Sequence, residues 1–391
     1  MFSRVIVIVL DSVGIGELPD AAQYEDQGSN TLGHIAASVP LRVPNLAALG
    51  LAQIVDLNLT TPAGPPGAAF GRMAERSAGK DSVTGHWELM GIVLDRPFPT
   101  FPNGFPKELI AEFESRIGRP SIGNVVASGT AIIDELGPLH METGHPIVYT
   151  SADSVLQIAA HEGIVPVAQL YKWCNVAYEL AVTGLGLGRV IARPFIGLPG
   201  SFQRTANRHD YAMPPTGESL LDRLVAAGHH VSAVGKISDL FAGRGVSESH
   251  PTKSDTQGVD IVESLMVTQA KGLIFANLVD FDTMYGHRND VAGYAANLER
   301  FDARVPALVA RLRDDDLLVI TADHGNDPTT PSTDHSREHV PVLVCGRRIT
   351  SGVDLGTRAT FADLGQTLAE GFGVGALAHG TSFLREIMVR A

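Results

Sequence analysis

The sequence predicts an α/β fold with a mostly parallel sheet and helices on both faces, plus an inserted α+β domain. Short, continuously apolar runs are typical of parallel strands that are buried on both faces. Helical patterns lie between these runs, and strand-helix alternation of this kind is typical of α/β domains. A segment enclosed by proline- and glycine-rich stretches predicts the insertion.

Five apolar runs are predicted to form the buried strands of the parallel sheet. Each is short enough for a strand and too short for an ordinary helix. The runs occupy residues 5–10, 230–235, 273–279, 317–322 and 340–346.

Helical patterns separate several of these runs. In the first, Thr216 is a possible N-cap and Gly228 a stop signal. The second has apolar residues at helical spacing, and the third opens with a capping box from Thr360 to Asp363. These helical patterns occupy residues 217–230, 294–314 and 360–373.

Residues 98–213 are predicted to form the inserted domain. The chain enters this segment through residues 96–106 and leaves it through 211–217, both rich in proline, which stiffens the backbone. An alternative is a continuous two-domain chain with its boundary elsewhere. The insertion is favoured because strands that end in polar residues fall on both sides. The expected domains are residues 1–97 with 214–391, and residues 98–213.

Length and composition exclude several classes of protein. A chain of 391 residues exceeds one ordinary core, and 44% hydrophobic with 19% charged residues is typical of a globular protein. A net charge of -13 without a basic run argues against a nucleic-acid binder. Two cysteines favour a reducing, cytoplasmic setting, and the run 5–10 is too short for a membrane span. No obligate protein partner is expected.

Aspartate and histidine follow three of the predicted strands. Because ligands bind beyond the carboxyl ends of strands in open α/β sheets, these side chains mark a candidate site. Any one of these aspartates alone is more often a turn former or helix cap. Three strands that end alike, with histidine close by, favour a site instead. Its candidate residues are Asp11, Asp282, His287, Asp323, His324 and His335.

Three carboxylates and three imidazoles are enough ligands for two divalent ions with open positions for substrate. Oxygen and nitrogen ligands without thiolate suit Mn²⁺, Zn²⁺, Fe²⁺ or Co²⁺, and the residues do not select among them. A bound ion also explains why buried charges cluster there, since it balances them.

A glycine-flanked turn at residues 78–91 carries hydroxyl groups into a possible helix, whose free N–H groups favour an anion. Ser82, Thr84 and His86 are its candidates for chemistry. Taken alone, Thr84 is as well explained as a helix N-cap. Beside two metal ions, however, a hydroxyl can be deprotonated and attack phosphorus.

Several stretches resemble the motifs of the phosphopentomutase family, in the alkaline phosphatase superfamily. The resemblance covers nearly the whole chain and keeps the order of the motifs. The stretches are "IVLDSVGIGELPDA", "GKDSVTGHWE", "YTSADSVLQIAAHE", "GRVIARPF", "NRHDYA", "DFDTMYGHRND" and "TADHGNDPTTPSTDHSREHVPVL".

The resemblance implies an alkaline-phosphatase-like core with a cap domain and two Mn²⁺ ions. It implies interconversion of ribose 1-phosphate and ribose 5-phosphate, and of their deoxyribose equivalents, through a bound 1,5-bisphosphate. Thr84 would be the phosphorylated nucleophile, facing one ion. That ion would be bound by Asp11, Asp323 and His324, and the other by Asp282, His287 and His335.

The resemblance also implies the substrates and the residues that surround them. Small sugar phosphates would be the partners, and a sugar bisphosphate such as glucose 1,6-bisphosphate would prime the enzyme by phosphorylating the threonine. The cap would exclude water, which otherwise hydrolyses the phosphothreonine. The implied substrate-binding residues are Ser151, Asp153, Arg189, Arg204 and Lys236.

Alternatives remain open at this point. His339 stands where many relatives have tyrosine, and an exchange of ligand roles with His335 is conceivable. Gly14 and Gly16 invite a dinucleotide-binding interpretation, but a third motif glycine is missing. The same scaffold also serves phosphatases, phosphodiesterases and cofactor-independent phosphoglycerate mutases. A non-catalytic metal- or phosphosugar-binding protein is the alternative from another class.

Overall fold

The computed structural model describes residues 2–59, 64–151 and 154–389. The chain divides into two compact units, Met1–Arg96 with Pro215–Ala391, and Pro97–Pro214. The strands are β1 (Arg4–Leu10), β2 (Ala69–Met73), β3 (Ile122–Val126), β4 (Ile147–Thr150), β5 (Val155–His161), β6 (Arg189–Ile196), β7 (Gln203–Arg204), β8 (His209–Ala212), β9 (Val231–Val234), β10 (Glu248–His250), β11 (Gly272–Leu278), β12 (Asp316–Thr321), β13 (Val340–Cys345) and β14 (Asp354–Arg358). The helices are α1 (Thr31–Ser38), α2 (Pro44–Leu49), α3 (Ser82–Leu89), α4 (Lys107–Ile117), α5 (Gly129–Thr143), α6 (Val167–Ala177), α7 (Leu220–Ala226), α8 (Ile237–Leu240), α9 (Asp255–Thr268), α10 (Val291–Asp302), α11 (Val305–Ala310), α12 (Ala362–Phe372) and α13 (Leu384–Ile387).

The first unit contains an eight-stranded sheet in the order β10-β9-β11-β1-β12-β13-β2-β14. The five strands from β10 to β12 run parallel. Every residue of β1, β11 and β12 is buried, so both faces of the sheet are covered at its centre. The predicted α/β class is confirmed, and the apolar runs are explained by this double burial.

One predicted strand runs against the expected direction. Residues 340–346 were expected in a parallel sheet, but β13 pairs antiparallel with both β12 and β2. All six residues of β13 are buried. A strand buried on both faces has the same apolar composition in either direction, so its sequence does not reveal its polarity.

The helix boundaries correct two predicted caps. Ser219, not Thr216, caps α7, and it forms a capping box with Asp222. No capping box joins Thr360 to Asp363 at the start of α12. The Thr360 hydroxyl instead donates to Glu88 Oε1 at 2.7 Å, so a buried tertiary contact has replaced the local cap.

The pattern predicted as one helix over residues 294–314 is two helices. In the structure α10 ends at Asp302, and α11 begins at Val305 with a proline in its first turn. Asp302 accepts hydrogen bonds from the backbone N–H of Leu46 at 2.7 Å and from the Asn45 side chain at 2.8 Å. Pro306 has no backbone N–H group to donate. Proline is therefore tolerated in the first turn of a helix, but it breaks a helix interior.

The second unit is a six-stranded mixed sheet with helices on both faces. Its path is β3-β4-β5-β6-β7, and β8 also pairs with β6. One face packs in a cluster that contains Trp173 of α6 and Phe113 of α4. Tyr149 and Phe195 line the other face and pack with Ile132 and Ile133 of α5.

Among the described residues, none of the helices combines the length and the apolar character needed to span a lipid bilayer.

A buried ion pair at the start of the central strands is expected to stabilise the first unit. Arg4 on β1 faces Asp316 on the adjacent β12, and both are almost fully buried. Arg4 Nε donates to Asp316 Oδ1 at 3.1 Å, and Nη1 donates to the Gln269 carbonyl at 2.9 Å. Arg4→Ala leaves a buried carboxylate unpaired, so we expect the free energy of unfolding to fall by about 3–5 kcal/mol.

The measurement is urea unfolding followed by tryptophan fluorescence in a Trp173→Phe background, where buried Trp87 reports on the first unit. Arg347→Ala is the control, because its pair with Asp314 is largely exposed. We expect a change within about 0.5 kcal/mol for the control. Equal effects of the two substitutions would contradict the role given to Arg4.

Candidate metal centre and active site

Three neighbouring parallel strands bring their following residues to one edge of the sheet. The order β11-β1-β12 places Asp282, Asp11 and Asp323 beyond three adjacent carboxyl ends. Asp11 and Asp323 are fully buried, and Asp282 is 3% exposed. Parallel pairing therefore concentrates three carboxylates in one small volume.

The first group of possible metal ligands consists of Asp282, His287 and His335. Asp282 Oδ2 lies 3.0 Å from His287 Nε2, and Asp282 Oδ1 lies 3.4 Å from His335 Nε2. His287 Nδ1 is 2.6 Å from the Thr333 carbonyl, which orients the ring with Nε2 toward the carboxylate. A second hydrogen bond of this kind is typical of histidines that bind metals.

The second group consists of Asp11, Asp282 and His324. His324 Nδ1 lies 3.0 Å from the Gly325 carbonyl, so it carries the proton of a neutral ring and Nε2 has a free lone pair. Yet Nε2 faces Asp11 Oδ1 at 3.4 Å and Asp323 Oδ2 at 3.3 Å. A lone pair directed at two anionic oxygens is repulsive unless a proton or a cation lies between them.

The grouping differs in one respect from the expected ligand sets. Asp282 belongs to both groups, and Asp323 is adjacent to the second through its contact with His324. The structure thus brings all six side chains together, with Asp282 between the two histidine sets.

Several buried polar atoms at this edge have no hydrogen-bond partner among the described residues. They are Asp11 Oδ1, Asp323 Oδ2, Asn326 Oδ1 and His335 Nε2. Leaving such atoms unsatisfied costs about 1–3 kcal/mol each, and more for charged groups. Carboxylate oxygens and imidazole nitrogens are ligands for divalent transition metals, so the residues fit such ions.

The first turn of α3 packs against these ligands. Asp81 caps the helix by accepting from the N–H groups of Val83 and Thr84. Thr84 is fully buried, and its hydroxyl donates to Asp81 Oδ2 at 2.6 Å. A Cβ on Gly85 would lie 2.2 Å from the Asp323 carbonyl, so glycine permits this close approach. The N-cap alternative for Thr84 is wrong, because Asp81 holds that position.

Ser82 is the hydroxyl that directly contacts a possible ligand. Its Oγ lies 3.2 Å from His324 Nε2. The structure therefore presents two hydroxyl groups in one turn, Ser82 beside His324 and Thr84 oriented by Asp81.

His86 and Asn277 support the carboxylates from behind. His86 Nδ1 lies 3.1 Å from Asp323 Oδ2 and 2.8 Å from the Ser82 carbonyl. The Asn277 amide donates to Asp11 Oδ2 at 3.0 Å and lies 3.1 Å from His86 Nε2. His86 was among the candidates of the turn at residues 78–91, whereas the pattern of strand ends misses Asn277, which lies within β11. A polar residue inside an otherwise apolar strand was the available signal for Asn277.

Glu338 connects the loops that carry the candidate ligands. It is 1% exposed and accepts from the backbone N–H of Gly16 and of Thr31, both at 3.0 Å. Its other oxygen accepts from the hydroxyls of Thr31 and Ser336, both at 2.7 Å. Gly14 belongs to the same arrangement, because a Cβ there would collide with the Glu338 carboxylate.

Arg337 holds the segment that leads into the first turn of α3. It is 2% exposed and donates to Glu75 Oε2 at 2.7 Å and to the Gly79 carbonyl at 2.6 Å. Its guanidinium also contacts Asp20 at 3.0 Å. Arg337 and Glu338 are neighbours in the sequence. Together they connect the His335 loop to the segment before α3 and to the loop after β1.

Electrostatics at this edge favour charged carboxylates and protonated histidines. Burial would raise the pKa of Asp323 and of Asp282, but adjacent histidines lower both pKa values below their ordinary range. Burial would lower the pKa of His324, but Asp323 and Asp11 raise it well above its usual value. Burial opposes protonation of His287 as well, yet Asp282 raises its pKa to about 9.

The expected substrate-binding residues lie in both units. Lys236 follows β9 at the same end of the sheet and is half-buried. In the second unit, Arg189 begins β6, Arg204 ends β7, and Ser151 follows β4. Asp153 lies outside the described residues. His339 is half-buried, with Nδ1 3.3 Å from the Gly16 carbonyl, and belongs to neither ligand group.

A family described as Metalloenzyme superfamily matches residues 3–376. A phosphopentomutase of Caldanaerobacter subterraneus subsp. tengcongensis is 54% identical over 390 residues, which cover 100% of this chain and 99% of that protein. The chain belongs to the phosphopentomutase family. The expected membership is confirmed, and with it the assignment as an enzyme of the isomerase class.

Further relatives support membership of the phosphopentomutase family. The phosphopentomutase of Carboxydothermus hydrogenoformans is 56% identical over 98% of this chain and 99% of its own. The phosphopentomutase of Thermotoga maritima is 56% identical over 97% and 98%. A solved phosphoglycerate mutase of Leishmania mexicana has a TM-score of 0.50 at 14% identity, covering 100% of this chain and 98% of that one, so it shows the fold alone.

Removal of single ligands tests how the ions are shared. We expect the wild-type protein to bind two equivalents of Mn²⁺. His287→Ala should retain about one equivalent, and Asp282→Ala less than one, because Asp282 belongs to both groups. The number of bound ions is measured by mass spectrometry of the metal content after gel filtration. His339→Ala is the control and should retain both ions. Two equivalents retained by Asp282→Ala would show that Asp282 is not shared.

Metal binding should release protons near neutral pH. The metal-free His287 has a pKa of about 9, so it is protonated at pH 7 and must lose that proton to bind an ion. The apparent metal affinity should therefore rise with pH until the pH exceeds the His287 pKa. Calorimetry in two buffers of different ionisation enthalpy counts the released protons. His287→Ala should release fewer protons than the wild type, and equal release would contradict the role of His287.

Proposed function

We propose that the protein interconverts ribose 1-phosphate and ribose 5-phosphate, and their deoxyribose equivalents, through a phosphothreonine at position 84. The observation that carries the proposal is the contact of the first turn of α3 with the candidate metal ligands. Ser82 Oγ lies 3.2 Å from His324 Nε2, and Gly85 packs directly on Asp323. The buried Thr84 hydroxyl is thereby held in the same turn as these contacts.

Two divalent ions, Mn²⁺ by family resemblance, would bind at the two ligand groups. As Lewis acids they would stabilise the charge on the oxygens of the transferring phosphoryl group. Their ligands would be drawn from Asp11, Asp282, His287, Asp323, His324 and His335.

The chain's own groups prepare the nucleophile. Asp81 accepts the hydrogen bond of the Thr84 hydroxyl and fixes its direction. Asn277 holds Asp11 in place through a hydrogen bond, His86 lies 3.1 Å from Asp323 Oδ2, and Glu338 fixes the loops on which the ligands lie. Orientation of this kind lowers the barrier because the reacting groups need not search for their geometry.

The reaction consists of two balanced phosphoryl transfers. Phosphothreonine 84 gives its phosphoryl group to the C1 hydroxyl of ribose 5-phosphate, which forms the 1,5-bisphosphate and restores the threonine. The bisphosphate reorients, and its 5-phosphoryl group passes to Thr84, so that ribose 1-phosphate leaves. A sugar bisphosphate such as glucose 1,6-bisphosphate would supply the first phosphoryl group.

Substrate binding is assigned to basic and hydroxyl side chains. Arg189 and Arg204 suit a phosphate because a guanidinium can donate two parallel hydrogen bonds. Lys236 would act as a compact positive charge, and Ser151 and Asp153 would bind sugar hydroxyls or phosphate oxygens. The partners are small sugar phosphates. A cytoplasmic location is part of the proposal, supported by two buried cysteines that form no disulfide.

Two hydroxyl variants test the assignment of the nucleophile. Thr84→Ala should abolish mutase turnover while the metal content is unchanged, because it removes the only atom that carries the phosphoryl group. Ser82→Ala is the matched control from the same turn and should reduce turnover less than tenfold, the factor that corresponds to about 1.4 kcal/mol. The readouts are conversion of ribose 5-phosphate and the mass of the intact protein after incubation with glucose 1,6-bisphosphate.

One added phosphoryl group is expected on the wild type and on Ser82→Ala, and none on Thr84→Ala. The opposite pattern would assign the chemistry to Ser82. If the protein hydrolysed simple phosphate esters but did not convert ribose 5-phosphate, it would be assigned as a phosphatase of the same superfamily and not as a mutase.

A further inference from the structure

Two fully buried asparagines lie beside the candidate metal ligands, and each donates to one of the ligand carboxylates. Asn277 Nδ2 donates to Asp11 Oδ2 at 3.0 Å. Asn326 Nδ2 donates to Asp282 Oδ1, also at 3.0 Å. An amide oxygen in the same place would repel the carboxylate, so each contact fixes which end of the amide faces the aspartate.

The oxygen atoms of these two amides have no hydrogen-bond partner among the described residues. A buried acceptor without a donor lowers the stability of the fold, and an apolar side chain of similar shape would avoid that loss. Stability therefore does not explain why Asn277 and Asn326 occupy these positions. What each of them does provide is a neutral N–H group directed at an aspartate.

A third buried asparagine shows how a purely structural arrangement differs. Asn297 is 4% exposed and donates to Asp255 Oδ2 at 2.6 Å. Its own oxygen accepts from Arg300 at 2.9 Å, and Asp255 Oδ1 accepts from the Asp280 N–H at 2.9 Å. The amide oxygen and both carboxylate oxygens thus have donors. Asp255 belongs to neither group of possible metal ligands.

The two aspartates held by Asn277 and Asn326 face the candidate ligand histidines instead. Asp11 Oδ1 lies 3.4 Å from His324 Nε2. Asp282 Oδ2 lies 3.0 Å from His287 Nε2, and its Oδ1 lies 3.4 Å from His335 Nε2. In each case the amide opposes rotation of the carboxylate, so the oxygens would keep these directions when an ion binds.

The third ligand carboxylate is held in the same way by a backbone group. The Ser12 N–H donates to Asp323 Oδ1 at 3.1 Å, and Asp323 Oδ2 lies 3.3 Å from His324 Nε2. Ser12 has a φ of 71°, a left-handed conformation that residues other than glycine rarely adopt. Its hydroxyl lies 3.0 Å from that of the fully buried Tyr294. A neutral donor therefore reaches one oxygen of all three carboxylates, for Asp323 at the cost of a strained backbone.

We propose that Asn277 and Asn326 are positioning residues that make the site selective for Mn²⁺ over Ca²⁺. The inference rests on the metal site of the proposed function and adds the source of its selectivity. No proton or phosphoryl transfer is assigned to either asparagine.

The physical basis is the difference in ligand demand between the two ions. Ca²⁺ takes about six to eight oxygen ligands in flexible arrangements, and it can recruit both oxygens of a carboxylate. A carboxylate whose orientation is fixed cannot turn to supply its second oxygen to the same ion. A transition-metal ion that binds one carboxylate oxygen together with imidazole nitrogen needs no such rotation.

The test compares the affinities of Mn²⁺ and Ca²⁺ for the metal-free full chain by isothermal titration calorimetry. Asn277→Leu and Asn326→Leu remove the donor and keep a side chain of similar size. Each should weaken Mn²⁺ binding by about tenfold or more, the usual effect of removing a group that holds a metal ligand. Ca²⁺ binding should weaken less, so the preference for Mn²⁺ over Ca²⁺ should fall several-fold.

The two substitutions should also differ in the number of ions that they affect. Asp282 belongs to both groups of possible ligands, whereas Asp11 belongs to one. Asn326→Leu should therefore weaken the binding of both Mn²⁺ equivalents, and Asn277→Leu the binding of only one. A general loss of structure would not produce this difference.

Asn297→Leu is the matched control, because it removes the same kind of buried amide donor from a carboxylate outside the ligand groups. It should lower the melting temperature of the metal-free protein and leave the preference for Mn²⁺ over Ca²⁺ unchanged. An equal loss of preference in this control would overturn the proposal. An unchanged preference in Asn277→Leu and Asn326→Leu would also overturn it, and if one of these two variants does not fold, the other decides alone.

Turnover of ribose 5-phosphate distinguishes failure of this proposal from failure of the proposed function. Turnover by the wild type, with the same ion preference in wild type and variants, would retain the function and reject the positioning role. A lower preference in both variants, without turnover by the wild type, would retain the positioning role and reject the function. Absence of Mn²⁺ binding to the wild type would reject both.

Discussion

Electrostatic repulsion among buried carboxylates is the constraint on which this molecule depends. Adjacent parallel strands β11, β1 and β12 end at one edge, and each delivers an aspartate there. In a low-dielectric interior, such charges cannot remain unpaired. That negative charge is compensated by the surrounding histidines and by the amide of Asn277, and it would be compensated further by the candidate cations. Without a compensating positive charge, repulsion among these carboxylates lowers the stability of the folded protein.

The supporting residues form a layer of buried hydrogen bonds behind the ligands. Glu338 is buried at the junction of three loops, and Arg337 extends the same connections to the segment before α3. These two neighbouring charged residues thereby connect the His335 loop, the loop after β1 and the segment before α3. A shift in any one of these loops would therefore disturb hydrogen bonds to the others.

Sequence patterns correctly predicted the central parallel strands of the first sheet. They did not predict the direction of β13 or the caps of α7 and α12. Continuous apolar runs identified β1, β11 and β12, since burial on both faces leaves an unmistakable composition. The same composition hid the antiparallel direction of β13. Local capping signals at Thr216 and Thr360 were wrong because tertiary partners and a nearby serine outcompeted them. The six candidate ligands were found from their positions at or shortly after strand ends, and His86 from the hydroxyl-bearing turn at residues 78–91. Asn277 and Glu338 act inside a strand or through the fold, where no local pattern exists.

The strand order of the first unit has a consequence for biosynthesis. β1 lies between β11 and β12, whose residues follow it by more than two hundred positions, and the complete second unit is encoded in between. On the ribosome, residues 97–214 emerge before the central strands have their neighbours. The nascent N-terminal strand must therefore wait, with its apolar surface exposed, until nearly the whole polypeptide has been translated. Chaperones that shield such a strand would act on this chain early in synthesis, at a time when the second unit could already be folded.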